Sequence, residues 1–241
     1  MKKLLVVKYG SKTVADKPGV DQNRLNAYTE QLRNVSAGLI VVTSGAVMAG
    51  KAEAPEIEDD QVLAGIGSAS IVMGWKKAFG RFGIYASQVL ATDHEIDDPQ
   101  EGDTLHGALL KNLSCGVVPI VNTNDQLSFE ELEKRRWDGE NDQLAAHIAV
   151  LMGAGAICLM TNSNGLFADG GNTISRITPS EQNEALALAR QRGTGRQGIP
   201  TKVEAAITAA NAGIDAYIAG AGEDIQKILA GQTGTHFVAN V

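Results

Sequence analysis

Short apolar runs alternate with longer segments of helical period along most of this chain. The strand-like runs are Leu4–Val7, Leu39–Val42, Gly83–Gln88, Val117–Val121, Ala156–Met160 and Ala216–Ile218. The segments of helical length and period are 21–36, 60–80, 101–113, 141–152, 181–191 and 201–212. Strands that alternate with helices predict parallel βαβ units, and almost wholly apolar strands are expected where helices cover both faces of a sheet. We predict an α/β fold, a three-layer αβα sandwich with a mainly parallel central sheet, formed by residues 1–241 as a single domain.

Polar motifs punctuated by glycine follow three of the predicted strands. They are Lys8-Tyr9-Gly10-Ser11, Thr43-Ser44-Gly45-Ala46 and Asn122-Thr123-Asn124-Asp125. In an open α/β sheet, ligands bind outside the carboxyl ends of the strands. A fourth motif, Gly198-Ile199-Pro200-Thr201-Lys202, puts a lysine into the first turn of a late helix. Together the four motifs favour an enzyme that handles phosphate over a simple binding module.

Each motif also has a plainer interpretation. Lys8 can offset charge that develops on transferring oxygens, or it can be a strand-end lysine that reaches solvent. Gly45 permits a tight turn whose helix amides receive an anion, or it serves an ordinary strand-to-helix turn. Asn122 and Asp125 suit a polar substrate, although Asx-rich turns are common. Asp142 or the asparagine before it can simply be a helix N-cap, but two further acids at the same point exceed what a cap requires and suggest an aspartate that orients lysines or Mg²⁺.

Composition excludes several other classes of protein. The chain has 241 residues and a formal net charge of −7, so it lacks the basic surface that general nucleic-acid binding requires. No apolar stretch reaches the length of a membrane span and no signal peptide is visible, which predicts a cytoplasmic protein. Cys115 and Cys158 each adjoin an apolar run and are predicted to be buried thiols. The histidines show no metal-ligand spacing, and no metal-ligating residue is predicted.

The motifs, taken in order, resemble those of the amino acid kinase superfamily. The matching patterns are Lys-x-Gly-Ser, Thr-Ser-Gly-Ala, Val-Pro-Ile-Val-Asn-x-Asn-Asp, Gly-x-Asn-Asp and Gly-x-x-Thr-Lys. Within the superfamily the chain is similar, over nearly its whole length, to the glutamate 5-kinases. That family phosphorylates the γ-carboxylate of L-glutamate to γ-glutamyl phosphate, the first step of proline biosynthesis. The resemblance implies the amino acid kinase fold, ATP and Mg²⁺, a homodimer or homotetramer, and no nucleic-acid or membrane partner.

The resemblance also implies a role for individual residues. Lys8 and Lys202 would stabilise the transferring phosphoryl group, and Asp142 would hold both lysines in place. The residues implied for amino acid binding are Ser44, Gly45, Asn122, Asp125 and Asn141. The residues implied for ATP binding are Lys8, Gly10, Ser11, Thr161, Asn162, Gly198, Thr201 and Lys202. The acceptor carboxylate is already nucleophilic at neutral pH, so catalysis would consist of positioning and charge neutralisation.

Several positions depart from the family pattern. Thr123 stands in place of a glutamate, Glu140 in place of an aspartate and Ser68 in place of a glutamine, all on the acceptor side. Asn162 replaces an aspartate on the nucleotide side. Many family members continue into a C-terminal PUA domain, and this chain is expected to be a short form without one. Phe129–Gly139 is charged and irregular, and is predicted to be a hairpin or flap over the site.

Two alternative functions therefore stay open. One is a related enzyme of the superfamily that phosphorylates a different carboxylate or a phosphate. The other is a catalytically silent regulator that binds a nucleotide or an amino acid. Because Lys8, Asp142 and Lys202 are all present, an active phosphotransferase is the leading interpretation.

Overall fold

The computed structural model describes residues 4–16, 19–35, 38–92, 99–126, 140–192 and 198–240. The helices are α1 (Ser11–Val14), α2 (Gln22–Leu32), α3 (Ala46–Glu53), α4 (Asp60–Gly80), α5 (Pro99–Ser114), α6 (Glu140–Leu151), α7 (Gln182–Arg192), α8 (Ile199–Asn211) and α9 (Ile225–Leu229). The strands are β1 (Leu5–Tyr9), β2 (Ala15–Asp16), β3 (Gly19–Val20), β4 (Leu39–Val42), β5 (Ala86–Ala91), β6 (Val118–Thr123), β7 (Ala156–Thr161), β8 (Arg176–Ile177), β9 (Asp215–Gly220) and β10 (Thr235–Phe237). The chain forms two compact units, an N-terminal unit of Tyr9–Arg135 and a C-terminal unit of Met1–Lys8 with Arg136–Val241.

The N-terminal unit contains parallel strands in the order β5-β6-β4 and a small antiparallel hairpin of β2 and β3. Helices cover both faces of its sheet. Gln88 donates from Nε2 to Ser68 Oγ on α4 at 3.2 Å, whereas Ser87 donates from Oγ to Asn112 Oδ1 on α5 at 2.6 Å. Because successive residues of a strand point to opposite faces, α4 and α5 lie on opposite sides of this sheet.

Two helices of the N-terminal unit pack backbone against backbone. A Cβ atom placed on Gly67 of α4 would lie 1.9 Å from the Ala46 carbonyl oxygen of α3, and one on Gly50 would lie 2.0 Å from the Leu63 carbonyl oxygen. Gly67 therefore serves the packing of α4 against α3. Because Gly65 and Gly67 both lie inside α4, they do not form the strand-to-helix turn of a dinucleotide fingerprint, which their spacing partly mimics. This close contact fixes α3, which begins directly after the Ser44-Gly45 turn.

The C-terminal unit contains strands in the order β1-β7-β9-β10-β8. β7 and β9 are parallel and pair Thr161 with Gly220 at their carboxyl ends, β10 is antiparallel to β9, and β8 is parallel to β10. Helices α6 and α8 pack against β7, and α8 also packs against β9. The sheets of both units are thus mainly parallel and alternate with helices, which confirms the predicted α/β class.

All six predicted strands and all six predicted helices are present, with ends that differ by at most four residues. The segment Gly165–Ile177 forms a tight hairpin turn, in which Ala168 N donates to the Asn172 carbonyl at 2.8 Å. The prediction of two buried thiols is wrong for Cys115, which is exposed, and right for Cys158. Cys115 lies just past the last turn of α5, where the chain turns at the surface. The predicted flap at Phe129–Gly139 lies outside the described residues. So do residues 193–197, the glycine-rich segment that precedes Gly198.

Candidate active site

A buried cluster of two lysines and one aspartate lies in the C-terminal unit. Lys8 comes from β1, Asp142 from the first turn of α6 and Lys202 from the first turn of α8. Lys8 Nζ lies 2.6 Å from Asp142 Oδ1, and Lys202 Nζ lies 3.0 Å from Asp142 Oδ2. The three residues are 5, 2 and 7 % exposed, respectively. One carboxylate therefore holds two ammonium groups in a site almost closed to water.

The cluster carries one net positive charge, because two ammonium groups share a single carboxylate. Burial of Asp142 favours its neutral form, but the attraction of Lys8 and Lys202 outweighs burial and lowers its pKa to about 2. Burial lowers the pKa of Lys8 to about 8; the attraction of Asp142 opposes this shift, and the repulsion of Lys202 adds to it. At neutral pH Asp142 is ionised and Lys8 is mostly protonated. A buried net charge of this sign favours an anion at the same place.

The start of α8 carries Lys202 into this cluster. Gly198 is the N-cap residue and Pro200 occupies the first turn, a position that suits proline because the amide it lacks would have no partner inside the helix. A glycine cap has no side chain to accept from the first amides, and among the described residues no side-chain cap is formed at Gly198. Since the first amides of a helix have no partner inside it, these amides and the helix dipole favour a negatively charged group at this end of α8.

Thr201 lies in the same turn with its hydroxyl pointing inward. Its Oγ1 lies 2.8 Å from Asp142 Oδ2 and 2.9 Å from the Gly198 carbonyl oxygen, and it can donate to either. Asn141, next to Asp142, is also buried. Thr161 is the half-buried last residue of β7, and Asn162 is exposed in the bend that follows. The structure thus brings Lys8, Asp142, Thr201 and Lys202 into direct contact and leaves the Asn162 side chain at the surface.

The predicted residues of the N-terminal unit form two groups. In the first, Gly45 caps α3 with φ of 102°, a left-handed conformation that favours glycine. A Cβ atom at this position would lie 3.3 Å from Ser11 Cα, so the turns Gly10-Ser11 and Ser44-Gly45 lie against each other. Trp75 Nε1 on α4 donates to Thr43 Oγ1 at 3.1 Å and fixes the start of the second turn.

The second group lies at the end of β6. Asn122 and Thr123 are both buried, and among the described residues their Oδ1 and Oγ1 atoms have no hydrogen-bond partner. Asp125 follows in a half-buried turn. The Gln126 side chain lies over Gly65 of α4, where a Cβ atom would come within 2.1 Å of its Nε2. The sequence did not reveal the supporting contacts of Trp75 and Gly65, since they join residues distant in the chain.

The part of the chain that the structure describes contains no group of three histidine, cysteine, aspartate or glutamate side chains placed to hold a metal ion. Asp142, the buried acid of the lysine cluster, is already engaged by Lys8, Lys202 and Thr201. None of the described helices is both long enough and apolar enough to cross a membrane.

The sequence model of the Amino acid kinase family matches residues 3–220. The chain belongs to this family. Glutamate 5-kinase from Bifidobacterium animalis subsp. lactis is 30 % identical over 250 residues, with 97 % of this chain and 65 % of that protein covered. Glutamate 5-kinase from Photobacterium profundum is 34 % identical over 223 residues, with 86 % and 58 % covered. The chain therefore spans about two thirds or less of the length of these relatives.

Solved structures with the same fold are more distant in sequence. Carbamate kinase from Giardia lamblia bound to AMP-PNP gives a TM-score of 0.71 at 12 % identity, with 99 % of each chain covered. N-acetylglutamate synthase from Neisseria gonorrhoeae gives a TM-score of 0.70 at 14 % identity, with 100 % of this chain and 60 % of that chain covered. At such identities the likeness concerns the fold alone, and it confirms the predicted amino acid kinase fold.

Proposed function

We propose that this protein is an ATP-dependent kinase that phosphorylates the γ-carboxylate of L-glutamate and so begins proline biosynthesis. The observation that carries the proposal is the buried cluster of Lys8, Asp142 and Lys202, with its one net positive charge. Sequence similarity of about 30 % to glutamate 5-kinases supports the choice of acceptor. A cytoplasmic location stays a prediction from the sequence, and a homodimer or homotetramer stays a prediction from the resemblance.

The reaction needs no proton transfer. An oxygen of the γ-carboxylate attacks the γ-phosphorus of ATP, the bond from that phosphorus to the β,γ-bridging oxygen breaks, and ADP leaves with the electron pair. Charge moves onto the equatorial and leaving oxygens, where fixed cations lower the barrier. Lys8 and Lys202 supply two such cations, and Asp142 holds them at fixed positions without neutralising both. Removing one donor of this kind typically costs about 10²- to 10³-fold in kcat.

ATP suits the chemistry of these residues because its phosphates would neutralise the buried net charge of the cluster and accept from the free amides at the start of α8. Mg²⁺ most often binds through phosphate oxygens, waters and one or two carboxylates, and we infer that it enters with the nucleotide. When bound there, it would neutralise further charge on the phosphates. In this proposal Gly10, Ser11, Thr161, Asn162 and Gly198 contact ATP.

In this proposal the amino acid acceptor binds to residues of both groups in the N-terminal unit, the Ser44-Gly45 turn and the end of β6, and to Asn141. Ser44 and Gly45 supply a hydroxyl and backbone amides at the start of α3, and Asn122 and Asp125 supply amide and carboxylate groups. The buried Asn122 Oδ1, which lacks a partner among the described residues, can accept from the ammonium group of an amino acid. This set of donors and acceptors suits a zwitterionic amino acid better than a phosphate acceptor, which would call for arginines.

The deciding assay measures ADP release with ATP and Mg²⁺ in the presence of L-glutamate, D-glutamate, L-aspartate, N-acetylglutamate or buffer alone. Hydroxylamine in the same reaction traps an acyl phosphate as a hydroxamate. We expect hydroxamate with L-glutamate alone. Turnover with another acceptor would overturn the assignment of glutamate and would implicate Thr123, Glu140 and Ser68. Binding of ATP without turnover on any acceptor would overturn the kinase proposal in favour of a regulator.

A further inference from the structure

The hydroxyl of Thr201 has only one proton and two acceptors within reach. Asp142 Oδ2 lies at 2.8 Å and the Gly198 carbonyl oxygen at 2.9 Å. A hydrogen bond to a charged acceptor is about twice as strong as one between neutral groups, and Asp142 is ionised at neutral pH. The proton therefore goes mainly to Asp142, and the hydroxyl has none left for a nucleotide phosphate.

The position of Thr201 supports the same conclusion. The residue is 3 % exposed, and its hydroxyl points into the cluster, towards Asp142 and the Gly198 carbonyl oxygen. Turning the hydroxyl outward would require another rotamer and would remove one hydrogen bond from a buried carboxylate. A buried charge that loses a hydrogen-bond donor is strongly disfavoured.

We propose that Thr201 is a positioning residue that orients Asp142, and through it both lysines, and that its hydroxyl does not bind ATP. Asp142 has two oxygens and three partners in this cluster. Lys8 Nζ contacts Oδ1 at 2.6 Å, Lys202 Nζ lies 3.2 Å from Oδ1 and 3.0 Å from Oδ2, and Thr201 Oγ1 contacts Oδ2. The hydroxyl fixes the plane of the carboxylate, and that plane sets where each ammonium points. The proposal rests on the phosphoryl-transfer function, because the lysines matter only if they act on a phosphoryl group.

The test compares Thr201→Val, which keeps the shape and removes the hydroxyl, with Thr201→Ser, which keeps the hydroxyl. Thr208→Val is the matched control, since Thr208 lies in the same helix and its hydroxyl donates to the Glu204 carbonyl at 3.0 Å. Small misplacement of catalytic groups can cost about 10²-fold in rate. We expect Thr201→Val to lower kcat by roughly 10- to 100-fold with less than about 3-fold change in the KM for ATP. Thr201→Ser should retain most of kcat, and Thr208→Val should leave both constants unchanged.

Two results of this comparison would overturn the proposal. One is a rise in the KM for ATP, or a weaker calorimetric Kd for ATP, in Thr201→Val with kcat retained, because this would place the hydroxyl on the nucleotide. The other is an equal loss of kcat in Thr201→Ser and Thr201→Val, because this would make the methyl group the important part.

A measurement without substrates separates this proposal from the proposed function. The Thr201 hydrogen bond helps to lower the pKa of Asp142, so ¹³C NMR of the Asp142 carboxyl should show a higher titration midpoint in Thr201→Val and no change in Thr208→Val. If the unchanged protein phosphorylates none of the acceptors but this shift is present, the function is wrong and the positioning contact stands. If the shift is absent, the positioning role fails whatever the substrate.

Discussion

Lys8 should make activity and stability depend on pH in opposite directions. Burial and the neighbouring Lys202 lower the pKa of Lys8 from 10.5 to about 8 against the attraction of Asp142. Only the ammonium form stabilises a transferring phosphoryl group, so kcat/KM for ATP, which reports the free protein, should fall as the pH rises through about 8. For stability the sign is reversed. Between the folded pKa of about 8 and the unfolded value, the unfolded chain binds more protons at this residue than the folded protein does, so stability rises with pH.

The size of this effect follows from the shift. Each pKa unit corresponds to about 1.4 kcal/mol, so a fall from 10.5 to about 8 amounts to about 3 kcal/mol for this buried group. Comparison with the Lys8→Met variant isolates the contribution of Lys8, because the other lysines and the tyrosines titrate both in this variant and in the unchanged protein. The free energy of unfolding, measured in urea, should increase from pH 7.5 to 10.5 by about 3 kcal/mol more in the unchanged protein than in Lys8→Met.

The kinetic arm uses the ADP-release assay over the same pH range, with Lys227→Met as the control for an exposed lysine. Lys227→Met should show the same basic limb as the unchanged protein. A kcat/KM for ATP that stays constant up to pH 10 would refute the idea that the Lys8 ammonium is needed. A difference in unfolding free energy that stays flat across this range would refute the lowered pKa itself.

Three further predictions concern single side chains. Lys202→Ala should lower turnover at least ~10²-fold through loss of one charge-stabilising donor, while circular dichroism shows that the fold is retained. Near-normal turnover of this variant would contradict the role assigned to Lys202. Gly67→Ala should destabilise the protein by about 1–3 kcal/mol in thermal or urea unfolding, because its Cβ would lie 1.9 Å from the α3 backbone. Gly107→Ala, where a Cβ meets nothing within 4 Å, should be neutral or stabilising, and equal effects of the two would contradict the packing argument. Cys115 should react with a thiol reagent in the folded protein and Cys158 only after unfolding, since burial raises the pKa of Cys158; simultaneous labelling would show that the site of Cys158 is open.

The strand ends and their polar motifs could be predicted from the sequence because each apolar run stops abruptly at a lysine, a Thr-Ser pair or an asparagine. β1 and β6 nevertheless continue two residues further, through Lys8 and Asn122, so the composition marks the end of these strands to within two residues. The strands β2, β3, β8 and β10 were not predictable in this way. They are two or three residues long and show no period that could separate them from a loop.

The contacts within the site were harder to predict from the sequence than the identity of its residues. The residues alone suggested an aspartate that orients lysines or Mg²⁺, and the resemblance identified its partners as Lys8 and Lys202. The bond from Thr201 to Asp142 was not expected at all. Thr201 and Asp142 are 59 residues apart, and no local pattern records that a hydroxyl faces inward at the start of a helix. For Cys115 the sequence predicted burial that the structure does not show. An adjoining apolar run gives no information about the burial of a residue beyond the last turn of a helix.

The lysine cluster is less stable than a simple ion pair would be, because it keeps one uncompensated positive charge. The proposed phosphoryl transfer requires that charge. A single buried lysine with a single aspartate would hold the lysine pKa up, whereas here two ammonium groups share one carboxylate and burial lowers the pKa of Lys8. A second carboxylate would relieve that strain, but it would also neutralise the charge that a phosphoryl group must meet. The unfavourable charge balance is therefore what an anion-handling site requires, and an arriving phosphate would raise the pKa of Lys8 again. Phosphate binding and protonation of Lys8 should accordingly favour each other.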